Sequence, residues 1–128
     1  MKTIVVAYND TNDSDRALER AAELAGFYDA KVVVTSVVPV MVGGALPEGS
    51  GPELQHADAL LRKRGIEAEL VEAAGEIADA IVEVADLHGA DLIVLGTREL
   101  SHVERMLGYS VSESVQRKAR CDVLIVHP

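Results

Sequence analysis

The segment with the most chemical potential is Leu95-Gly96-Thr97-Arg98-Glu99, followed after ten residues by Ser110-Val111-Ser112-Glu113-Ser114-Val115. An apolar run ends in a glycine turn, and a connecting stretch then leads to a helix start. Ser110 and Glu113 have the spacing of a capping box, in which each side chain satisfies an orphan amide of the helix's first turn. Backbone amides at such a start, with the helix dipole behind them, form an anion site, so phosphate binding is the chemistry this segment offers. Arg98 could pair with a phosphate or with the adjacent Glu99.

Other chemistry is hard to find. The histidines, His56, His88, His102 and His127, fall in different elements without ligand spacing, so no metal site is expected. His88 precedes Gly89 at a helix end, where an imidazole suits the dipole. Ser101-His102-Val103-Glu104 reads as a second capping box, a structural role. There is no nucleophile elbow, P-loop or dinucleotide fingerprint, and Gly43-Gly44 lacks the strand-turn-helix setting of a phosphate loop. No catalytic residues are expected. Cys121 is the sole cysteine. It lies beside Val123-Leu124-Ile125-Val126 and reads as packing material, which suits a reducing compartment.

The chain of 128 residues is long enough for one domain, residues 1–128, with a real core. That core must be aliphatic, because there is no Trp, one Phe and three Tyr. Twelve Lys and Arg stand against 21 Asp and Glu, a net charge of −9 that argues against a nucleic-acid partner. Ile4-Val5-Val6-Ala7 is too short for a signal peptide's core, and no stretch reaches transmembrane length. A soluble, cytoplasmic protein without membrane partners is expected.

The elements that must position the loop follow from periodicity. Thr3 to Tyr8 and Lys31 to Val38 are β-branched runs of the kind covered on both faces. From about Ser14 the pattern is helical, with Ala17, Leu18, Ala21, Leu24 and Ala25 on one face and Gly26 as the stop. Met41 to Pro52 has neither period and reads as a loop. Pro52 opens a helix running to Gly65, and Ile66 to Val71 alternates as an edge strand should. Ile77 to Ala85 is helical and closed by His88-Gly89. Asp91 to Leu95 is another buried strand, Ser110 to Ala119 a helix, and Asp122 to Val126 the last strand. Nine alternating elements predict an α/β fold with a mostly parallel sheet and helices on both faces. Ligands then bind beyond the carboxyl ends of the strands, which directs attention to residues 9–13, 37–45 and 96–110.

Three segments in order resemble the universal stress protein family. Ile4-Val5-Val6-Ala7 with Ser14-x-Arg16-Ala17-Leu18 is similar to the family's first strand and helix. Gly75 to Gly96, GEIADAIVEVADLHGADLIVLG, and the close, SVSESVQRKARCDVLIV, are similar to its later text. The resemblance implies a flavodoxin/Rossmann-like open sheet of five strands. It also implies a nucleotide loop with the signature glycine-x2-glycine-x9-glycine-serine/threonine. Without gaps, Gly96 takes the first glycine position, Glu99 the second and Tyr109 the third, while Ser110 keeps the serine. The alternative uses Gly108 as the third glycine and puts Tyr109 in place of the serine. Either way the motif is damaged.

By resemblance, Asn9 and Val37 would meet the nucleoside, and Gly96, Thr97, Arg98, Ser110, Val111 and Ser112 the phosphates. Glu99 and Tyr109 are the motif-breaking residues. A side chain in the left-handed region costs about 1–2 kcal/mol. Glu99 would repel a phosphate charge by roughly 1–3 kcal/mol at about 5 Å. The expectation is a non-enzymatic stress-response homodimer with impaired or absent ATP binding and an unknown protein partner. An ATP- or AMP-binding sensor or slow ATPase is the alternative, and a flavin carrier a third possibility. The family's last strand commonly pairs across a two-fold axis, which here would be Val123, Leu124, Ile125 and Val126.

Overall fold

The computed structural model of the chain describes residues 1–38, 51–97 and 110–127. Five strands and four helices alternate among them. They are β1 (Thr3–Ala7), α1 (Asn12–Tyr28), β2 (Lys31–Val38), α2 (Gly51–Lys63), β3 (Glu69–Ala74), α3 (Ile77–Leu87), β4 (Leu92–Gly96), α4 (Val111–Lys118) and β5 (Asp122–Val126). The sheet order is β3-β2-β1-β4-β5, and all four pairings are parallel, so the expected class holds, with no antiparallel strand among the described residues.

Alternation along each buried strand divides the core in two. Ile4, Val6, Val32, Val34 and Val94 pack under α1 and α2, with Leu18, Ala21, Leu54 and Leu61. Val5, Val33, Ile93 and Leu95 pack under α3 with Ile81 and Val84, and under α4 with Val115. Every strand residue in the centre of β1 is fully buried, which is why its sequence is continuously apolar rather than alternating. The chain runs outward from β1 through β2 to β3, then crosses back to β4 on the other side of β1. The switch point therefore lies between β1 and β4.

Three boundaries differ from the periodicity reading. Gly26 does not stop α1; the helix continues to Tyr28, and Asp29 takes the left-handed seat at φ 55°, its N–H donating to the Ala25 carbonyl. A short polar side chain tolerates that conformation, so the capping position fell to Asp29 rather than to the glycine. β3 begins at Glu69, not Ile66, because the chain is first held against the end of α2 by Ile66 N–H donating to Leu61 carbonyl. It then follows β2 in register from Val33↔Glu69 to Val38↔Ala74. Ser110 caps α4 by accepting from Glu113 N–H at 3.4 Å, but among the described residues the return bond of the box is not formed. A complete box occurs instead at α1, between Thr11 and Ser14.

Asp91 secures the start of β1. Its Oδ2 accepts from the backbone N–H of Lys2 at 2.7 Å and of Thr3 at 3.1 Å. These bonds hold its carboxyl below the ordinary 3.8. A depressed carboxyl contributes stability above its unfolded pKa and loses it as pH falls through its folded value. Asp91→Ala should therefore be less stable than the parent in urea at about pH 7, with the difference shrinking toward about pH 3. A difference that stays constant over that range would contradict this role.

Candidate functional site

At the carboxyl ends of β1, β2 and β4 the fold leaves a cavity of about 110 Å³, room for a ligand group rather than for one water. Its apolar walls are Ala7, Val37, Ile77, Ile81 and Leu95, and its polar rim includes Asn9, Asp13, Ser110 and Ser112. Asn9, Val37, Gly96, Ser110, Val111 and Ser112, from four separate segments, all line it. Val37 is only partly buried while Ser36 and Val38 beside it are buried, because its side chain faces this opening.

Two predicted members are placed otherwise. Thr97 is not among the cavity-lining residues; its N–H donates to the Val126 carbonyl at 3.0 Å, extending the β4–β5 ladder by one step. Arg98, Glu99 and Tyr109, with Gly108 and the Ser101–Glu104 box, lie outside the described residues. So does the stretch from Pro39 to Ser50.

Helix starts surround the cavity. Thr11, Asp13 and Ser14 bring the first turn of α1 to it, Ile77 brings α3, and Ser110 to Ser112 bring α4. The three starts are not equivalent toward an anion. Glu76 already occupies the end of α3, its carboxylate accepting from Ala78 and Asp79 N–H. The first turn of α1 carries Asp13 and Asp15. At α4, the Ser110 hydroxyl accepts from the Glu113 N–H and lies 3.2 Å from the Ser112 hydroxyl, the first turn carries Glu113, and no side chain among the described residues takes the Val111 or Ser112 amide. The start of α4 thus meets the cavity beside the apolar wall of Val37, Ile77 and Leu95.

Gly96 serves a packing need. A Cβ there would stand 2.5 Å from the carbonyl oxygen and 2.8 Å from the carbonyl carbon of Asp13. Its φ is not positive, so close approach of α1 to the end of β4, rather than backbone conformation, requires the glycine.

Sequence reading did not foresee the cluster on the α2 side of the β1–α1 turn. The Tyr8 hydroxyl, 2% exposed as a residue, donates to Asp15 Oδ1 at 2.6 Å and lies 3.0 Å from His56 Nδ1. His56 Nδ1 in turn is 2.6 Å from Asp10 Oδ1. Burial, then Asp15 and Asp10, push the Tyr8 phenol well above its ordinary range, so it stays a donor. Asp10, Asp15 and His56 offer donor atoms within 4.8 Å of one another, although His56 is in a different element with no ligand spacing. The hydroxyl and imidazole protons already join these atoms, and the cluster ties α2 to the turn that presents Asn9. Burial also raises the Cys121 thiol, with Asp122 and Asp86 adding to it, which disfavours the reactive thiolate. Its side chain packs in the α3–α4 half of the core, as expected.

Comparison with known proteins decides the family. The model of the universal stress protein family matches residues 1–127. The chain belongs to the universal stress protein family. Universal stress protein Rv1636 of Mycobacterium tuberculosis is 37% identical over 142 residues, covering 98% of this chain and 96% of the relative. A universal stress protein solved in complex with cAMP superposes with a TM-score of 0.79 at 29% identity, covering 98% of this chain and 97% of that one. The universal stress protein of Archaeoglobus fulgidus in complex with dAMP gives 0.77 at 29% identity, with the same shares covered. No helix among the described residues is long and apolar enough to cross a membrane.

Proposed function

We propose that this universal stress protein is a non-enzymatic, cytoplasmic regulator that binds an adenine mononucleotide and handles triphosphate poorly. The observation that carries the reading is the cavity itself: six of the predicted nucleotide residues line it, beside an apolar wall and the start of α4. A mononucleotide needs a place for one phosphate, and α4 supplies it. The nucleotides bound by its structural neighbours, cAMP and dAMP, each carry one phosphorus group, which agrees with this reading. ATP carries two more phosphates and so more negative charge than AMP. The second and third glycine positions of the family's signature are filled by Glu99 and Tyr109.

The outer edge of β5 supports a homodimer as the assembled form. Val123 and Ile125 pack toward one half of the core, Leu124 and Val126 toward the other, and all four remain partly exposed at the sheet's end. An edge of this kind is self-complementary across a two-fold axis.

Calorimetry on purified protein with AMP, cAMP and ATP tests the proposal. AMP or cAMP should bind in the micromolar range and ATP about tenfold or more weakly. ATP binding at about 10 μM or tighter, equal to the mononucleotides, would overturn it. Sedimentation of the same preparation should give twice the chain mass.

A further inference from the structure

Thr35 interrupts the valine run of β2 and is fully buried, yet its hydroxyl has no hydrogen-bond partner, alone in this among the described residues. The other buried hydroxyls are all engaged. Ser36 donates to Glu53 Oε2 at 2.6 Å, Ser14 is held in the Thr11 box, and Ser114 lies 3.4 Å from the Arg117 guanidinium. Thr35's backbone carbonyl is also used, accepting from Tyr8 N–H at 2.9 Å. In the ladder its lateral neighbours are Ala7 on β1 and Val71 on β3, neither of which has a polar side-chain atom. Val37, two residues on, shares its face, and Ile81 of α3 closes over the same region.

Thr35 also lines the cavity. Its hydroxyl is buried beside the apolar wall of Ala7, Val37, Ile81 and Leu95, and among the described residues it is the buried side-chain polar atom left without a protein partner. Buried polar groups are otherwise almost always paired, so an orphan at the wall of a ligand-sized cavity calls for a partner, which a ligand group or a buried water supplies.

We propose that Thr35 reads the base of the bound nucleotide, its hydroxyl bonding a ring nitrogen or amino group on the base's edge. This rests on the mononucleotide reading given above. The ligand class is a flat heteroaromatic base with a hydrogen-bonding edge. The hydroxyl can donate to a ring nitrogen or accept from an amino group, and a floor of Val37, Ile81 and Leu95 suits a flat ring.

Thr35→Val keeps the shape and removes the hydroxyl, whereas Thr35→Ser keeps the hydroxyl. AMP binding and thermal unfolding of the ligand-free protein are measured on both variants and the parent. Thr35→Val should weaken AMP about tenfold, the equivalent of one lost hydrogen bond, while melting at the parent's temperature or above it. Thr35→Ser should stay within about threefold of the parent for AMP. If the parent binds AMP and Thr35→Val binds it equally, the base-reading role falls and the nucleotide site stands. If that variant also melts lower, the hydroxyl is held by a structural buried water instead. If the parent binds no AMP, the mononucleotide reading and this role fall together.

Discussion

Replacing Gly96 with alanine is expected to destabilise the protein by about 1–3 kcal/mol, the range for forcing a methyl group into a packed site. For a chain of this size that corresponds to a melting temperature lower by about 3–5 °C for each kcal/mol. The cause is steric. The new Cβ would lie 2.5 Å from the Asp13 carbonyl oxygen, a backbone atom already committed to the first turn of α1. A backbone carbonyl cannot rotate aside as a side chain can, so either α1 retreats from the sheet or β4 bends. Both responses widen the seam between β1 and β4, at the end of which Asn9 and Ser110 line the cavity. Gly96→Ala should therefore weaken nucleotide binding as well as folding. Adding Asp13→Ala should not rescue it, because the obstructing atoms at 2.5 and 2.8 Å are not side-chain atoms. Chemical denaturation followed by circular dichroism checks the stability. A Gly96→Ala variant as stable as the parent would remove the packing account.

Gly96 also illustrates what the sequence could convey. Its position after a buried strand and before a helix start marked it as part of a ligand site, and it does line the cavity. That it is glycine because of Asp13 depends on a contact between segments far apart in the chain, which no local pattern reveals. The Tyr8–His56 contact, across 48 positions, was hidden for the same reason. Strand runs such as Ile4-Val5-Val6 and helix faces such as Ala17-Leu18-Ala21 were legible because burial imposes their period directly. Asn9, Val37 and Ser110 were legible because a parallel sheet gathers the residues that follow its strands at one end. Boundaries were less so: Asp29 and Gly26 compete for one left-handed seat, and the winner depends on how α1 meets β2. Thr35 left a visible mark, a hydroxyl within a valine run. Its significance needed the observation that it shares the cavity face with Val37 while Ser36 turns to Glu53.

Restoring the family's glycines, with Glu99→Gly and Tyr109→Gly together, is expected to raise ATP affinity by about 10- to 100-fold and AMP affinity much less. Gly96 and Ser110 both line the cavity, so the chain between them starts and finishes at its wall. Tyr109 is bonded to Ser110, and Glu99 is three residues from Gly96, within roughly 11 Å by chain length alone. A carboxylate tethered there opposes each added phosphate charge by about 1–3 kcal/mol at contact range, less with distance and salt. ATP has two phosphates more than AMP, so it bears more of that repulsion and gains more from its removal. Glycines also admit the left-handed backbone that lets amides approach phosphate oxygens, at a saving of about 1–2 kcal/mol wherever a side chain had to adopt it. Single variants separate the contributions. Glu99→Gln should recover the electrostatic share alone and lose its advantage at high salt, whereas Tyr109→Gly should give a gain that salt does not change. If the double variant binds ATP no better than the parent, the triphosphate is excluded by the cavity's own walls. Asp13, whose charge sits on the rim beside the helix starts, would then be the residue to neutralise next.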